Sequence, residues 1–455
     1  MRRIPFGLRW FCPGFRSLCF ILAIFIFLPL PASDAEDLLQ VYQLAVDHDP
    51  QFKGTEFERL AIRQSLNQAY AKLLPVINFE NDYGKERQNV LSTQNAVYRS
   101  GALTYGSTSY TLKLTQPIIR FSLFAELAQA RKAVTRAEAE TAAARQDLIL
   151  RTAQAYLTAL AAKENIAFAK AEKSDVQLMF ERAKARYESG MAPVTDYDDA
   201  TARLASVNAQ LIKAESDYSD AIQALMEISS IVITDLKNLK EEMPMKGPEP
   251  ENIDSWVTTS LERNFKLKSA RYDSEIADYE ISRQKAGHLP NLDLVASTDR
   301  QDSGGSLFGG GSKIGTQQAM LQITVPIFEG FGVIARTAEA RERYNKALQN
   351  SEKQRRAVIR QVHASYEGIL SASSRAEALK KSVDSQTVLL EAKEKGFKSG
   401  LYPVIAVMDA VRDLYMYRKD YAQSRYDYLV SGLKLKEAAG MLDQSDIAMI
   451  NNWLQ

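Results

Sequence analysis

Two periodicities alternate along this chain. Long stretches place apolar residues at helical spacing beside broad polar faces, and four short stretches alternate apolar and polar residues one by one. The helical stretches fall at about 36–73, 122–188, 193–228, 252–287, 331–398 and 403–440. The first ends before Leu74-Pro75, because the residue preceding a proline avoids the α region. The two longest contain no proline and are rich in Ala, Glu, Lys, Arg and Gln. At 1.5 Å per residue each spans roughly 100 Å, more than the diameter of a compact domain. The helices that follow them are about half as long. Two short ones end to end therefore match one long one, as in the wall of a cylinder.

The alternating stretches predict four strands, at 76–83, 110–115, 291–294 and 321–325. Ile77, Phe79 and Tyr83 share one face of the first, and Asn78, Glu80 and Asp82 the other. Leu112 and Leu114 oppose Lys113, and Leu292 and Leu294 oppose Asn291 and Asp293. One apolar and one charged face suit a barrel with lipid outside and water inside. A sheet covered by helices on one face shows the same alternation.

The chain also repeats itself. Tyr156, Gly190, Pro193, Asp199 and Tyr218 recur as Tyr366, Gly400, Pro403, Asp409 and Tyr428, every pair 210 positions apart. Pro75 and Pro117 answer Pro290 and Pro326 at nearly the same spacing. The expected organisation is a signal peptide at 1–35, a first repeat at 36–240, a linker at 241–251, a second repeat at 252–442 and a tail at 443–455. Each repeat reads helix, strand, loop, strand, long helix, helix.

The N-terminus sets the compartment. Arg2, Arg3, Arg9 and Arg16 precede an apolar run from Leu18 to Leu30, followed by small residues at Ser33 and Ala35. This is the form of a secretory signal peptide, too short for a spanning helix. Its two cysteines, Cys12 and Cys19, are the only ones in the chain, so the mature protein is expected to lack disulfides and thiolate metal sites. Neither stands where a lipid acceptor would. No later stretch is apolar enough for a transmembrane helix, which leaves the strands as the membrane device. Four strands cannot close a barrel. Three chains would supply twelve and leave a lumen, whereas two would give eight and fill it. The predicted fold is thus mainly α with a membrane β-barrel: duplicated helical hairpins and four strands per chain, three chains closing a twelve-stranded barrel and a helical tunnel. The polar strand residues Asn78, Glu80, Asp82, Lys113, Asn291 and Asp293 would face the lumen. The segments 86–107 and 301–315 would be outward loops. The linker and tail would pack outside the tube at mid-height.

Charge and chemistry exclude other classes. With 57 basic and 56 acidic residues there is no reason to expect a nucleic-acid partner. His48, His288 and His363 are isolated, without metal-ligand spacing. The glycines at 304–305 and 309–311 lack the lysine and helix of a phosphate cradle. No catalytic, metal or cofactor site is predicted. A periplasmic coiled-coil adaptor is the competing class, since it too uses long helical hairpins, but it leaves the four strands unexplained.

From about residue 36 to 442 the chain resembles the TolC-type family of outer-membrane exit ducts. The resemblance is carried by Gly190-Met191-Ala192-Pro193-Val194-Thr195-Asp196, by the segment from Gly400 to Ala410, by Tyr426-Asp427-Tyr428-Leu429 and by the Leu-Pro and Pro-Ile strand boundaries. It implies a homotrimer in outer-membrane lipid, with a periplasmic adaptor and an inner-membrane transporter docking at the helical tips, at turns marked here by Gly190, Pro193, Gly400 and Pro403. Substrate would pass unchanged. The missing acylation cysteine leans toward the non-lipidated branch that resembles protein-secretion ducts. At the tips, Asp196, Asp199 and Asp409 would form acidic rings at the tunnel entrance. Carboxylates near a helix start can equally complement its dipole. Thr195 and Asp196 match the acceptor side of the family's inter-helix lock. Its tyrosine and arginine positions read Phe397 and Tyr402, and a second acidic position reads Ala406. An Arg–Asp lock at those positions is therefore not expected. Instead Phe397 and Tyr402 would pack the closed tip, with Tyr402 hydrogen-bonded to Asp196.

Overall fold

The computed structural model describes residues 36–455 apart from 93, 95–100, 234, 241–242 and 306–309. The expected signal peptide and parts of the two strand-connecting segments lie outside the described residues. The first half comprises α1 (Leu38–His48), α2 (Pro50–Ala71), β1 (Val76–Val90), β2 (Gly101–Ile119), α3 (Phe121–Glu188) and α4 (Val194–Ser229). The second repeats that order as α5 (Ile253–Arg263), α6 (Phe265–Lys285), β3 (Asn291–Ser303), β4 (Ser312–Thr324), α7 (Gly332–Lys398) and α8 (Val404–Ala438), followed by α9 (Gln444–Asn451). No described helix is long and apolar enough to cross a membrane.

The long helices begin and end within a residue of their expected limits, at 68 and 67 residues. Two expectations are corrected. Each leading helix is a pair, not one rod. Asp49 ends α1 and caps α2 by accepting from the Phe52 N–H at 2.8 Å, with Pro50 at the first helical position. Asn264 does the same between α5 and α6 through the Leu267 N–H at 3.0 Å. The strands also extend well beyond their apolar cores, to 15, 19, 13 and 13 residues. About half of the segments expected as loops is strand. Backbone ladders need no apolar alternation, so polar and glycine-containing sequence continues them.

The strands form one antiparallel sheet in the order β1-β2-β3-β4. Its register aligns the faces. Asn78 lies opposite Lys113, Lys113 opposite Ser297, and Ser297 opposite Gln318. Asn78, Glu80, Asp82, Lys113, Asn291 and Asp293 consequently share one face. Ile77, Phe79, Leu112, Leu321 and Ile323 share the other and are all exposed. Asp293 departs from the open polar face expected for it. It is 8 % exposed and receives a bidentate pair from Arg120, Nε–Oδ1 2.9 Å and Nη2–Oδ2 2.6 Å. Arg120 is the residue before α3. This pair therefore ties the sheet to the helical part.

Along the helical part, α6 and α8 lie end to end between α3 and α7, and α2 and α4 lie along α3 on its other flank. The α6–α8 joint is fastened by Asn264 Nδ2 donating to Ala438 O at 3.0 Å. At mid-height α1, α9 and the linker wrap α3. Leu236 bridges to Glu36 and Leu239 to Leu454. Their apolar residues, among them Leu38, Val41, Leu236 and Ile447, form one cluster with Tyr156, Leu157 and Leu160 of α3. Each such side chain contributes about 1.5–3 kcal/mol on burial. The Tyr156 hydroxyl donates to Glu36 O at 2.9 Å. Its repeat counterpart Tyr366 packs with Trp256 and Leu435. The repeated tyrosines thus mark where the belt grips each long helix.

Gly440, with φ of 69°, turns the chain after α8, and an added Cβ there would lie 2.6 Å from Arg263 O. Gly440→Ala is expected to combine left-handed strain of roughly 1 kcal/mol with that clash. Thermal unfolding followed by circular dichroism at 222 nm would show a lower midpoint, whereas Gly432→Ala, with open space around its Cβ, would change it little.

Candidate functional site

The two hairpin tips are built alike. After α3 and α7 the chain turns at Gly190 (φ 73°) and Gly400 (φ 75°). The Met191 N–H then closes onto Arg186 O and the Leu401 N–H onto Gly396 O, each at 2.8 Å. This is a helix stop that glycine supports without strain. Pro193 and Pro403 then lead into α4 and α8 with φ near −70°, preset for a helix start. Met191 and Leu401 are left exposed at the extreme end.

Behind the turns the two hairpins share a core. Val176, Met179 and Ala183 of α3 and Ala200 and Val207 of α4 meet Phe397 of α7 and Val404, Val407, Met408 and Val411 of α8. Phe397 is buried, with the Arg186 guanidinium 5.3 Å from its ring centre. Phe397 thus stands inside the core that the two hairpins share. Tyr402 behaves differently. It is 46 % exposed and its ring lies against Gly396. It borders the same cleft as Asp196, yet among the described residues no hydrogen bond joins the two. A ring braced on a glycine leaves its hydroxyl at the rim rather than across the cleft. Thr195 and Asp199 are exposed on the first turns of α4, and Asp196 is half-buried.

Asp409 is not a free carboxylate. Arg203 of α4 donates to it at 2.8 Å, and Arg412 lies 3.2 Å from it, one turn along α8. Arg412 also pairs with Asp413 at 2.8 Å. Of the three acids expected to line the entrance, only Asp196 and Asp199 lack a basic partner among the described residues. The Arg203 side chain is 16 % exposed, which shields this bridge between the hairpins better than a surface pair. One turn further from the tip, the Tyr415 hydroxyl of α8 donates to Asp175 of α3 at 2.8 Å. Burial, then that carboxylate, push the tyrosine up to about 12.

Between these contacts lies Glu172 of α3. It is 7 % exposed, with Oε1 unpartnered among the described residues. Burial raises its pKa; Arg203 of α4 and Lys419 and Arg412 of α8 pull it back, while Asp175 on its own helix raises it. Sequence reading missed Arg203, Glu172 and Tyr415. Arg203 stands 206 positions from Asp409 and Tyr415 stands 240 from Asp175, and nothing local marks any of the three. Within the first hairpin, Tyr187 stacks on Tyr197 at 5.5 Å and Phe180 lies 5.8 Å from Tyr197. These rings clasp α3 to α4. The site thus holds a charged clasp, an apolar plug and two acids without basic partners among the described residues, Asp196 half-buried and Asp199 exposed, where two hairpins end.

The outer membrane efflux protein family model matches residues 41–229 and 256–441. The chain is 30 % identical to outer membrane protein TolC of Vibrio cholerae, over 92 % of this chain and 94 % of that one. It is 28 % identical to the alkaline protease secretion protein AprF of Pseudomonas aeruginosa, over 96 % and 91 %. Among solved structures, the Campylobacter jejuni CmeC outer membrane channel superposes with a TM-score of 0.77 at 17 % identity, over 92 % of this chain and 90 % of that one. With two amphipathic halves, one open-edged sheet and paired helical tips, this chain belongs to the outer membrane efflux protein family, the outer-membrane exit ducts of tripartite export systems.

Proposed function

We propose that three copies form a passive conduit in which secreted protein, or small toxic compounds, pass unchanged to the exterior. A periplasmic adaptor and an inner-membrane pump would engage the tips, and no residue would act catalytically. The observation that carries this reading is the sheet itself. It has one exposed apolar face and two open edges among the described residues, and it continues into helices of roughly 100 Å. A coiled-coil adaptor has no use for such a sheet. Similarity to AprF, named for alkaline protease secretion, favours a protein substrate.

The gate we place at the tip is the clasp between α4 and α8, not the positions where the family's lock stands. Arg203–Asp409 and Tyr415–Asp175 hold the hairpins together, Phe397 plugs them, and Asp196 and Asp199 present the acidic rim. The polar sheet face, Asn78 to Asp293, would line the lumen, with Asp293 serving the joint to Arg120.

Three outcomes are expected. Protein extracted by detergent from outer membranes should run as a heat-resistant trimer and form pores in planar bilayers; a soluble periplasmic monomer would end the reading. Arg203→Ala should raise the open fraction of those pores about fivefold per chain, the equivalent of about 1 kcal/mol for a partly shielded pair, whereas Tyr402→Ala should change it less. Glu172→Gln should raise the thermal midpoint at neutral pH. A carboxyl whose folded pKa is raised costs nothing below its unfolded value near 4.5, and its cost grows as pH rises through the folded value. The gain should therefore vanish by about pH 4, and a gain equal at both pH values would contradict it.

A further inference from the structure

The register sorts the charged side chains of the sheet by face. Lys85 and Arg87 of β1, Arg300 of β3 and Lys313 of β4 stand on the face of Ile77 and Phe79, the one taken above to meet lipid. Glu80, Asp82 and Glu86 of β1 and Asp293 and Asp299 of β3 stand on the other. Two residues break the pattern. Asp302 lies on the apolar face, where Lys313 pairs with it at 2.8 Å, and Lys113 lies on the polar one. Lys85, Arg87 and Arg300 are all exposed and have no acidic partner among the described residues.

Height along the strands sorts the same face again. The row nearest the helices holds Ile77 and Leu114, and the next holds Phe79 and Leu112. Tyr110 and Tyr83 follow in the next two rows, 43 % and 79 % exposed. Arg300 stands level with Tyr110, and Lys85 and Arg87 lie beyond Tyr83 at the end away from the helices. From Ile77 to Arg87 the face thus passes from aliphatic through tyrosine to basic, over roughly 33 Å of strand. Tyrosines on a barrel's outer face mark the level at which hydrocarbon gives way to headgroups. The cross-strand neighbours leave the cations uncovered. Lys85 lies opposite Gly106 and Arg300 opposite Gly315, and a Cβ added at Gly106 would meet nothing within 4 Å.

We propose that Lys85, Arg87 and Arg300 form a rim that binds the phosphate groups of glycolipid headgroups in the outer leaflet. This rests on the barrel reading above and adds a ligand for its lipid-facing side. Charge complementarity selects the occupant. A phosphorylated glycolipid holds negative charge at the level where these cations stand, and its acyl chains meet the apolar rows below them. Arg87 and Arg300 can each grip a phosphate through two parallel N–H bonds, and Lys85 adds a compact charge. A surface that served solubility alone would intersperse both signs. Here the sheet itself separates them, with the acids turned to the opposite face. Bound headgroups would hold the sheet at one depth in the bilayer.

Titrating the detergent-solubilised protein with fluorescent diphosphoryl lipid A, and with the same lipid fully dephosphorylated, tests the rim. The diphosphoryl form should bind about tenfold more tightly, and the preference should shrink as salt rises. Lys85→Gln, Arg87→Gln and Arg300→Gln together should erase the preference. Each alone should reduce it about threefold, a result that stands even if the triple variant assembles poorly. Lys380→Gln, the loss of an exposed charge on α7, should leave it intact. Equal binding of the two lipids, or an undiminished preference in all three single variants, overturns the rim while the pores in bilayers, and with them the duct, remain. Sodium phosphate that displaces the lipid better than sodium chloride of equal ionic strength shows a site for free phosphate and equally overturns it. A protein that forms no pores fails the duct reading, and the rim with it.

Discussion

Unpaired backbone in lipid is the constraint on which the rest of this molecule depends. Each N–H and C=O without a partner in hydrocarbon costs several kcal/mol. The four-stranded sheet leaves the outer edges of β1 and β4, 15 and 13 residues long, without partners among the described residues. Its apolar face suits lipid, where open edges cannot be wetted, and the proposed ring of copies is what pairs them. Closure by several chains is thus a consequence of hydrogen bonding before it is a matter of side-chain packing.

The helical part meets the same geometry with different means. Helices satisfy their own backbone, so long ones can stand in water on two sides while burying narrow seams. The chain uses two rods of roughly 100 Å and fills the spaces with shorter helices end to end, jointed where Asp49 and Asn264 cap α2 and α6. The Arg120–Asp293 pair fastens these helices to the sheet, and the mid-height belt around Tyr156 packs against α3. At the far end, polar contacts join the apolar ones between the two hairpins. Arg203, Tyr415 and the buried carboxyl of Glu172 place polar contacts beside the apolar core that the two hairpins share there, which is why the proposed gate is put at this end.

Much of this architecture was legible in the sequence because it rests on local rules. Proline-free runs marked the long helices to within a residue, Gly-x-x-Pro marked both tip turns, and alternation found every strand. The joint at Asp49-Pro50 also carried its signal, an acidic cap before a proline at the first helical position, but the apolar period ran through it unbroken. Strand ends were lost because ladders continue through sequence such as Gly84 to Gln88, where no face is buried. The tip residues divided along the same line. Phe397 was readable as a packing residue from its size and place, whereas the ion pair of Asp409 was not, because its partner Arg203 is adjacent only after two hairpins coil together. Tyr402 failed as a donor to Asp196 for a related reason: its ring is held by Gly396, a contact decided by rotamer rather than by spacing.

The central claim is that the sheet's edges are closed by neighbouring copies. Hydrogen–deuterium exchange of the purified assembly in detergent, read by mass spectrometry on peptides from each strand, tests it directly. Closure predicts that β1 and β4 amides are protected as strongly as those of β2 and β3. Rapid exchange of about half of the amides in β1 and β4, with β2 and β3 protected, would show open edges and contradict the account.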